Sequence, residues 1–316
     1  MLELIKQAEE RIAPFVKRTP LEYSNSLSRR LGFPVFVKFE LFQLTGAFKI
    51  RGAFNKLLSM SDDERRRGVV AVSGGNHAQA VALASSKLGV DAVIVMPQNT
   101  PQIYLDATRR YGATVDLQPT IAEAFAKVEH YRADGRVFVH PFDDPLVLAG
   151  QGTVGIEIVE DLPEVTDVIV SIGGGGLAGG VASAVKGHNP SIRVWGVETV
   201  GADAMARALA AGHPVQLDAI TSIAKTLGAP AVSDLTLSLV QKYFESVTVV
   251  SDADTVRAMN FILERLKVIT EPAAACTVTA AEELRANFGP DSRVALVFCG
   301  GNTSAADLCG YQSLIS

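Results

Sequence analysis

The sequence predicts an α/β protein made of two doubly wound lobes with mostly parallel sheets. Short, almost wholly apolar β-branched runs recur along the chain, longer alanine-rich stretches of helical pattern separate them, and the runs fall into two blocks. Strands covered on both faces read as continuous apolar runs, and their alternation with helices gives a parallel sheet.

In order, the first 60 or so residues carry helical patterns around one short strand at 35–37, and are expected to pack on the C-terminal lobe. The first block supplies strands at 69–72, 92–96 and 137–139. Between them a helix is predicted over Asn76–Leu88, closed by Gly89, the residue type that best accepts the left-handed C-cap. Another is predicted over 101–111, with Thr100 as N-cap and Pro101 in the first turn, where proline's missing N–H costs nothing. The second block opens on a long helix near 148–161 and holds strands at 168–172, 194–197 and 294–298. The expected domains are therefore 1–67 with 145–316 as the larger, cofactor-binding one, and 68–144 as a smaller, mobile one carrying a substrate loop.

Composition narrows the function classes. Of 316 residues, 48% are hydrophobic and 20% charged, which excludes a disordered chain. Lys+Arg 29 against Asp+Glu 34 leaves a net charge of −5 with no basic block. Nucleic acid and anionic membrane are thus not expected as partners. No apolar run approaches the roughly 18 residues of a membrane span, and the acidic, amphipathic start is unlike a signal peptide. Cys276, Cys299 and Cys309 have no metal-ligand spacing and read as thiols in a reducing cytoplasm.

Ligands of doubly wound folds sit where strands turn into helices. The strongest such turn is Ser171-Ile172-Gly173-Gly174-Gly175-Gly176-Leu177, where glycines let backbone N–H groups wrap a phosphate and the next helix adds its positive end. No lysine or arginine lies in it, so the donors must be backbone. Gly174, Gly176 and Gly179 with Glu198 also satisfy a dinucleotide fingerprint, which keeps a nicotinamide-dependent oxidoreductase open as a rival. A second turn, Ser73-Gly74-Gly75-Asn76-His77, suits a carboxylate; Ser73 and Asn76 are equally good helix caps. In a third, Lys49 stands among apolar and small residues after Gly46. A desolvated amine there attacks carbonyls, although a lone lysine of this kind more often snorkels to the surface. A fourth, Cys299-Gly300-Gly301-Asn302, ends a buried strand.

Taken in order, these turns resemble the pyridoxal-phosphate enzymes of the tryptophan synthase β-subunit fold type (fold type II), and within it the serine/threonine dehydratase and serine racemase branch. Arg18-Thr19-Pro20-Leu21, Lys38-Phe39-Glu40, Gly46 to Ala53, Ser73 to Gln79, His140 to Asp144, Gly150 to Thr153 and Glu271-Pro272 carry the resemblance across almost the whole chain. It implies pyridoxal 5'-phosphate held by Lys49 as a Schiff base, with Phe48 packed on the ring and Asn76 bonded to the ring hydroxyl. It places the phosphate on Gly173, Gly174, Gly175, Gly176 and Leu177, Cys299 at the pyridine nitrogen, and Glu271 among the cofactor-binding residues. Ser73, Gly75, Asn76 and His77 receive the substrate carboxylate. The implied activity is α,β-elimination from an L-3-hydroxy-2-amino acid to a 2-oxo acid and ammonia, by a cytoplasmic homodimer. A racemase or a β-replacement synthase of the same fold is the alternative.

Three departures carry expectations of their own. The racemase has a serine where this chain has Gly74, so racemisation is expected to be poor; a serine is expected to fit there at little cost if Gly74 has ordinary dihedrals, and at about 1 kcal/mol if its φ is positive. The branch's divalent-cation site matches Glu198 and Ala202, but its aspartate position is Ala204, leaving the cation in doubt. The segment Ala224-Lys225-Thr226-Leu227-Gly228-Ala229-Pro230 looks more like dehydratases of bulky substrates such as 3-phenylserine. With the catalytic core spanning all 316 residues, no C-terminal feedback domain of the biosynthetic threonine dehydratases is expected.

Overall fold

A computed structural model describes residues 1–315. Ten strands form two sheets: β1 (Leu21–Tyr23), β2 (Val35–Lys38), β3 (Val69–Val72), β4 (Ala92–Pro97), β5 (Thr114–Gln118), β6 (Val137–Phe138), β7 (Asp167–Ser171), β8 (Arg193–Thr199), β9 (Phe244–Val250) and β10 (Val294–Val297). The larger sheet has the order β1-β2-β10-β7-β8-β9 and the smaller β5-β4-β3-β6. Every pairing is parallel except β1 with β2. The N-terminal segment thus joins the C-terminal one through β2 and β10, with Val35 opposite Val294 and Lys38 opposite Val297.

Most of the strands that the sequence predicts are buried along all or nearly all of their length, as in β3, β7 and β10, while β6 is half-buried. The structure adds β1, β5 and β9, whose residues are mostly exposed or half-buried. The helix Asn76–Leu88 ends as expected on Gly89, at φ +65°. The long helix begins earlier than its apolar pattern, at Pro145, because Asp144 caps it by accepting the Leu146 and Val147 N–H groups. One expectation fails: the helix Gln102–Arg110 has Pro101 at its N-cap position, and Thr100 does not cap it.

A buried ionic knot fixes the helix Lys49–Leu58. Arg51 donates to both oxygens of Glu40, each at 2.8 Å, and to Glu157 at 2.6 and 2.9 Å. Lys38 meets Glu157 at 2.6 Å and donates to the Thr19 carbonyl at 2.7 Å. Arg51, Lys38 and Glu40 are all but inaccessible to solvent. Deleting one partner leaves a buried charge unpaired, at a cost of about 3–5 kcal/mol. Arg51 lies two residues after Lys49, so the knot anchors the first turn, where Lys49 sits.

Candidate active site

The four turns singled out in the sequence come together around Lys49, Glu271 and Cys299. Lys49 is the first residue of its helix, and its Nζ donates to the Pro141 carbonyl at 2.8 Å, 5.2 Å from the Phe48 ring centroid. Burial pushes its pKa down to about 8, against the opposing pull of Cys299 and Glu271. The turn after β10 is stitched beneath it. Phe48 N–H donates to the Cys299 carbonyl at 3.1 Å, Gly301 N–H to the Gly46 carbonyl at 2.9 Å, and Ala47 and Gly300 form an isolated antiparallel bridge. Gly46 sits at φ +71°, and a side chain there would also strike the Asn302 amide.

Cys299 is buried, with Ser171 Oγ 3.6 Å from its sulfur and Glu271 Oε1 at 3.8 Å. Burial, then the charge of Glu271, raises the thiol pKa well above its ordinary value. Glu271 is itself 2% exposed. Its pKa is pushed up to about 7 by burial, while hydrogen bonds from Asn76, Thr226 and Cys299 and the charge of Lys49 pull it down. Gly300 permits this approach: a Cβ there would lie 2.6 Å from Glu271 Oε1.

The expected helix caps are diverted to this cluster. Asn76 turns its amide nitrogen to both Glu271 oxygens at 3.1 Å, and its oxygen accepts from Asn302 Nδ2 at 2.7 Å. Ser73 Oγ accepts the Gly75 N–H at 3.1 Å, and the N-cap is Gly75, with no side-chain cap. The N–H groups of the first turn of Asn76–Leu88 are thereby left without intrahelical partners. His77 Nε2 meets the Val139 carbonyl at 2.8 Å and its buried Nδ1 has no partner. Burial, then Lys49, pushes its pKa down to about 3, so the ring is neutral. Its imidazole is held at Val139, and what it offers the loop is its backbone.

The tetraglycine turn likewise opens a helix without a side-chain cap. Gly175 is the N-cap of Gly176–His188 at φ +92°. A Cβ on Gly173 would lie 3.0 Å from Leu227 backbone atoms, and one on Gly174 would run into the Phe142 ring. Bare backbone at a helix N-terminus, walled by Leu227 and Phe142, fits a phosphate. The desolvated amine of Lys49 and the buried polar cluster of Asn76, Glu271 and Cys299 fit a pyridine ring carrying a carbonyl. Pyridoxal phosphate has all three parts.

The model of the pyridoxal-phosphate dependent enzyme family matches residues 12–300. The chain belongs to that family. It is 44% identical to an L-threonine ammonia-lyase of Thermotoga maritima over 95% of this chain and 75% of that one. It is 41% identical to a serine racemase of Oryza sativa subsp. indica over 98% and 92%. The solved structure of maize serine racemase superposes with a TM-score of 0.93 at 37% identity, covering 99% of this chain and 96% of that one. Fold type II and pyridoxal 5'-phosphate as cofactor follow from the family, and the nicotinamide rival falls.

The candidate cation residues are Glu198 in β8 and Ala202 in the turn after it, and one expectation, at Gly74, is corrected. Both Glu198 oxygens accept backbone N–H groups, from Met205 at 2.9 Å and Ala206 at 2.7 Å. Burial pushes the pKa of Glu198 up to about 8. Ala202 is bridged to Thr199, and no three His, Cys, Asp or Glu gather as metal ligands among the described residues. The space expected beside Gly74 is filled: a Cβ there would lie 2.6 Å from Thr100 Oγ1.

Sequence reasoning gives no site role to Thr226, Asn302 or Thr100. Asn302 was legible only as the end of a motif, and Thr226 only as a departure from one. Thr100 was read as a cap.

Proposed function

We propose that the chain is an ammonia-lyase acting on an L-3-hydroxy-2-amino acid of the threonine or serine type, releasing a 2-oxo acid and ammonia. The observation that carries this is the buried Cys299 thiol, neutral across the physiological range. When bound, pyridoxal phosphate supplies an electron-withdrawing ring that acidifies the substrate α-C–H. Cys299 would face the ring nitrogen, and a neutral thiol there would leave the ring a weaker electron sink than a carboxylate would, which suits loss of a β-leaving group.

The chain's own residues supply the rest. Lys49 Nζ, with its pKa lowered to about 8, accepts the α-proton as a base close to the working pH. The phosphate is held by N–H groups of Gly173, Gly174, Gly175, Gly176 and Leu177. Asn76, oriented by Asn302 and Glu271, holds the ring hydroxyl, and Phe48 backs the ring. The N–H groups after Ser73 and Gly75 seat the substrate carboxylate. In this reading residues 68–144 are the mobile domain that brings that loop to the cofactor held by 1–67 and 145–316. The turn Lys225–Leu227 lies against Gly173 and reaches Glu271 through Thr226. It borders the substrate side chain and sets whether a bulky one, as in 3-phenylserine, is accepted.

The test is a panel of L-threonine, L-serine, 3-hydroxyaspartate and threo- and erythro-phenylserine, following ammonia, oxo acid and the chirality of recovered substrate. Equimolar ammonia and oxo acid with little D-amino acid is expected. D-amino acid formed faster than oxo acid would make the racemase reading the correct one.

A further inference from the structure

At the carboxyl edge of the smaller sheet two turns lie side by side, because β3 and β4 are parallel neighbours, with Val72 opposite Val95. The first is the Ser73–Gly75 turn. The second, after β4, contains Thr100, whose N–H donates to the Pro97 carbonyl at 3.0 Å. Thr100 is 7% exposed, yet its Oγ1 has no hydrogen-bond partner. A buried hydroxyl left unpaired is destabilising, and such a group calls for an explanation.

The hydroxyl is also aimed. It stands 2.6 Å from where a Cβ on Gly74 would be. Gly74 is outside the left-handed region, so space and not backbone conformation calls for a glycine here. Of the surrounding side chains, Ser73 Oγ accepts the Gly75 N–H, the Asn76 amide faces Glu271 and Asn302, and the His77 ring meets Val139 through Nε2 and leaves only Nδ1 unpaired. Thr226, across the loop, gives its hydroxyl to Glu271. Thr100 alone among these brings an uncommitted, fully buried hydroxyl to the loop, beside the unpaired N–H groups that open the 13-residue helix Asn76–Leu88. Such a helix start favours an anion, and a hydroxyl beside it adds a charge-assisted hydrogen bond.

We propose that Thr100 contacts the substrate, its hydroxyl donating a hydrogen bond to the amino-acid carboxylate from the space that the missing side chain of Gly74 leaves open. This rests on the reading of residues 73–77 as the carboxylate seat. Thr100 thereby does from the neighbouring turn what a longer residue at position 74 would do from within the loop.

The experiment uses holoenzyme with L-serine as probe, measuring Kd by visible absorption titration together with KM and kcat. Thr100→Val removes the hydroxyl at nearly constant shape, Thr100→Ser restores it, and Ser73→Ala tests the loop itself. Loss of uniform binding to a charged group raises Kd and KM about tenfold or more with kcat within about twofold. That is the result expected of Thr100→Val, with Thr100→Ser within about threefold of wild type. If Thr100→Val leaves Kd and KM unchanged while Ser73→Ala raises both, the assignment of Thr100 is wrong and the loop reading stands. If neither variant changes them, or wild type does not bind L-serine, the loop reading and the proposal fall together. A fall in kcat alone, or lost D-serine formation at constant KM, assigns the hydroxyl to proton delivery and also overturns the proposal.

Discussion

Asn302 donates to the side-chain oxygen of Asn76 at 2.7 Å, joining the first turn of a helix on the smaller sheet to the turn that follows β10 in the larger one. Asn76 passes the contact on to Glu271. The amide is therefore held between two partners, with its oxygen and nitrogen assigned by what each must accept or donate. Glu271, at the end of this chain of bonds, is a buried carboxyl with a pKa of about 7.

That pKa gives a pH dependence of defined sign. The folded-state value is raised above the ordinary 4.5, so the contribution of Glu271 to stability is fully present below about 4.5 and is lost as pH rises through about 7. The shift corresponds to about 3 kcal/mol. Glu271→Gln keeps an acceptor for Asn76 and removes the titration. Thermal unfolding of the cofactor-free proteins should show wild type losing stability from pH 5 to pH 8 relative to the variant. Parallel curves would mean that Glu271 is charged throughout.

Cys299 separates two chemistries. Cys299→Ser keeps a small neutral group beside Ser171 and Glu271 and should retain most elimination activity. Cys299→Asp places a second carboxyl 3.8 Å or less from Glu271, strengthens the electron sink and should lose elimination. Steady-state ammonia release is the measurement, and equal rates in all three proteins would show that this side chain does not face the ring.

The crowding at Gly74 revises what a racemase-like substitution should do. Gly74→Ser must push Thr100 aside, and overpacking of this kind costs about 1–3 kcal/mol. The single variant should melt lower and racemise little. Gly74→Ser with Thr100→Ala makes the room, and chiral chromatography should find more D-serine from L-serine than with either single change. A single Gly74→Ser protein that racemises as fast as the double variant, at wild-type melting temperature, would show that the space is not occupied.

The parts of the fold legible in the sequence were those whose pattern is local. β3, β7 and β10 are buried along their whole length and read as unbroken apolar runs. β5 and β9 lie at sheet edges with mixed exposure, and β1 is three residues long, so each lacks a periodic signal. The site shows the same division. The glycine turns and Lys49 stood out because their chemistry needs those residue types at that spacing. The roles of Asn76, Ser73 and Thr100 did not, since a cap and a ligand-facing side chain look alike until their partners are placed. For Asn76 those partners lie 195 and 226 residues away. Arg51, Lys38 and Glu40 were visible only as motif residues; that they form one buried knot is a product of tertiary packing.

The central claim is that Lys49 is the amine that holds the cofactor and moves the α-proton. Borohydride reduction of the holoenzyme followed by peptide mass spectrometry tests it most directly. A pyridoxyl phosphate adduct on Lys49, with neither adduct nor turnover in Lys49→Ala, is the predicted result. An adduct on any other lysine, or turnover by Lys49→Ala without added amine, would contradict it.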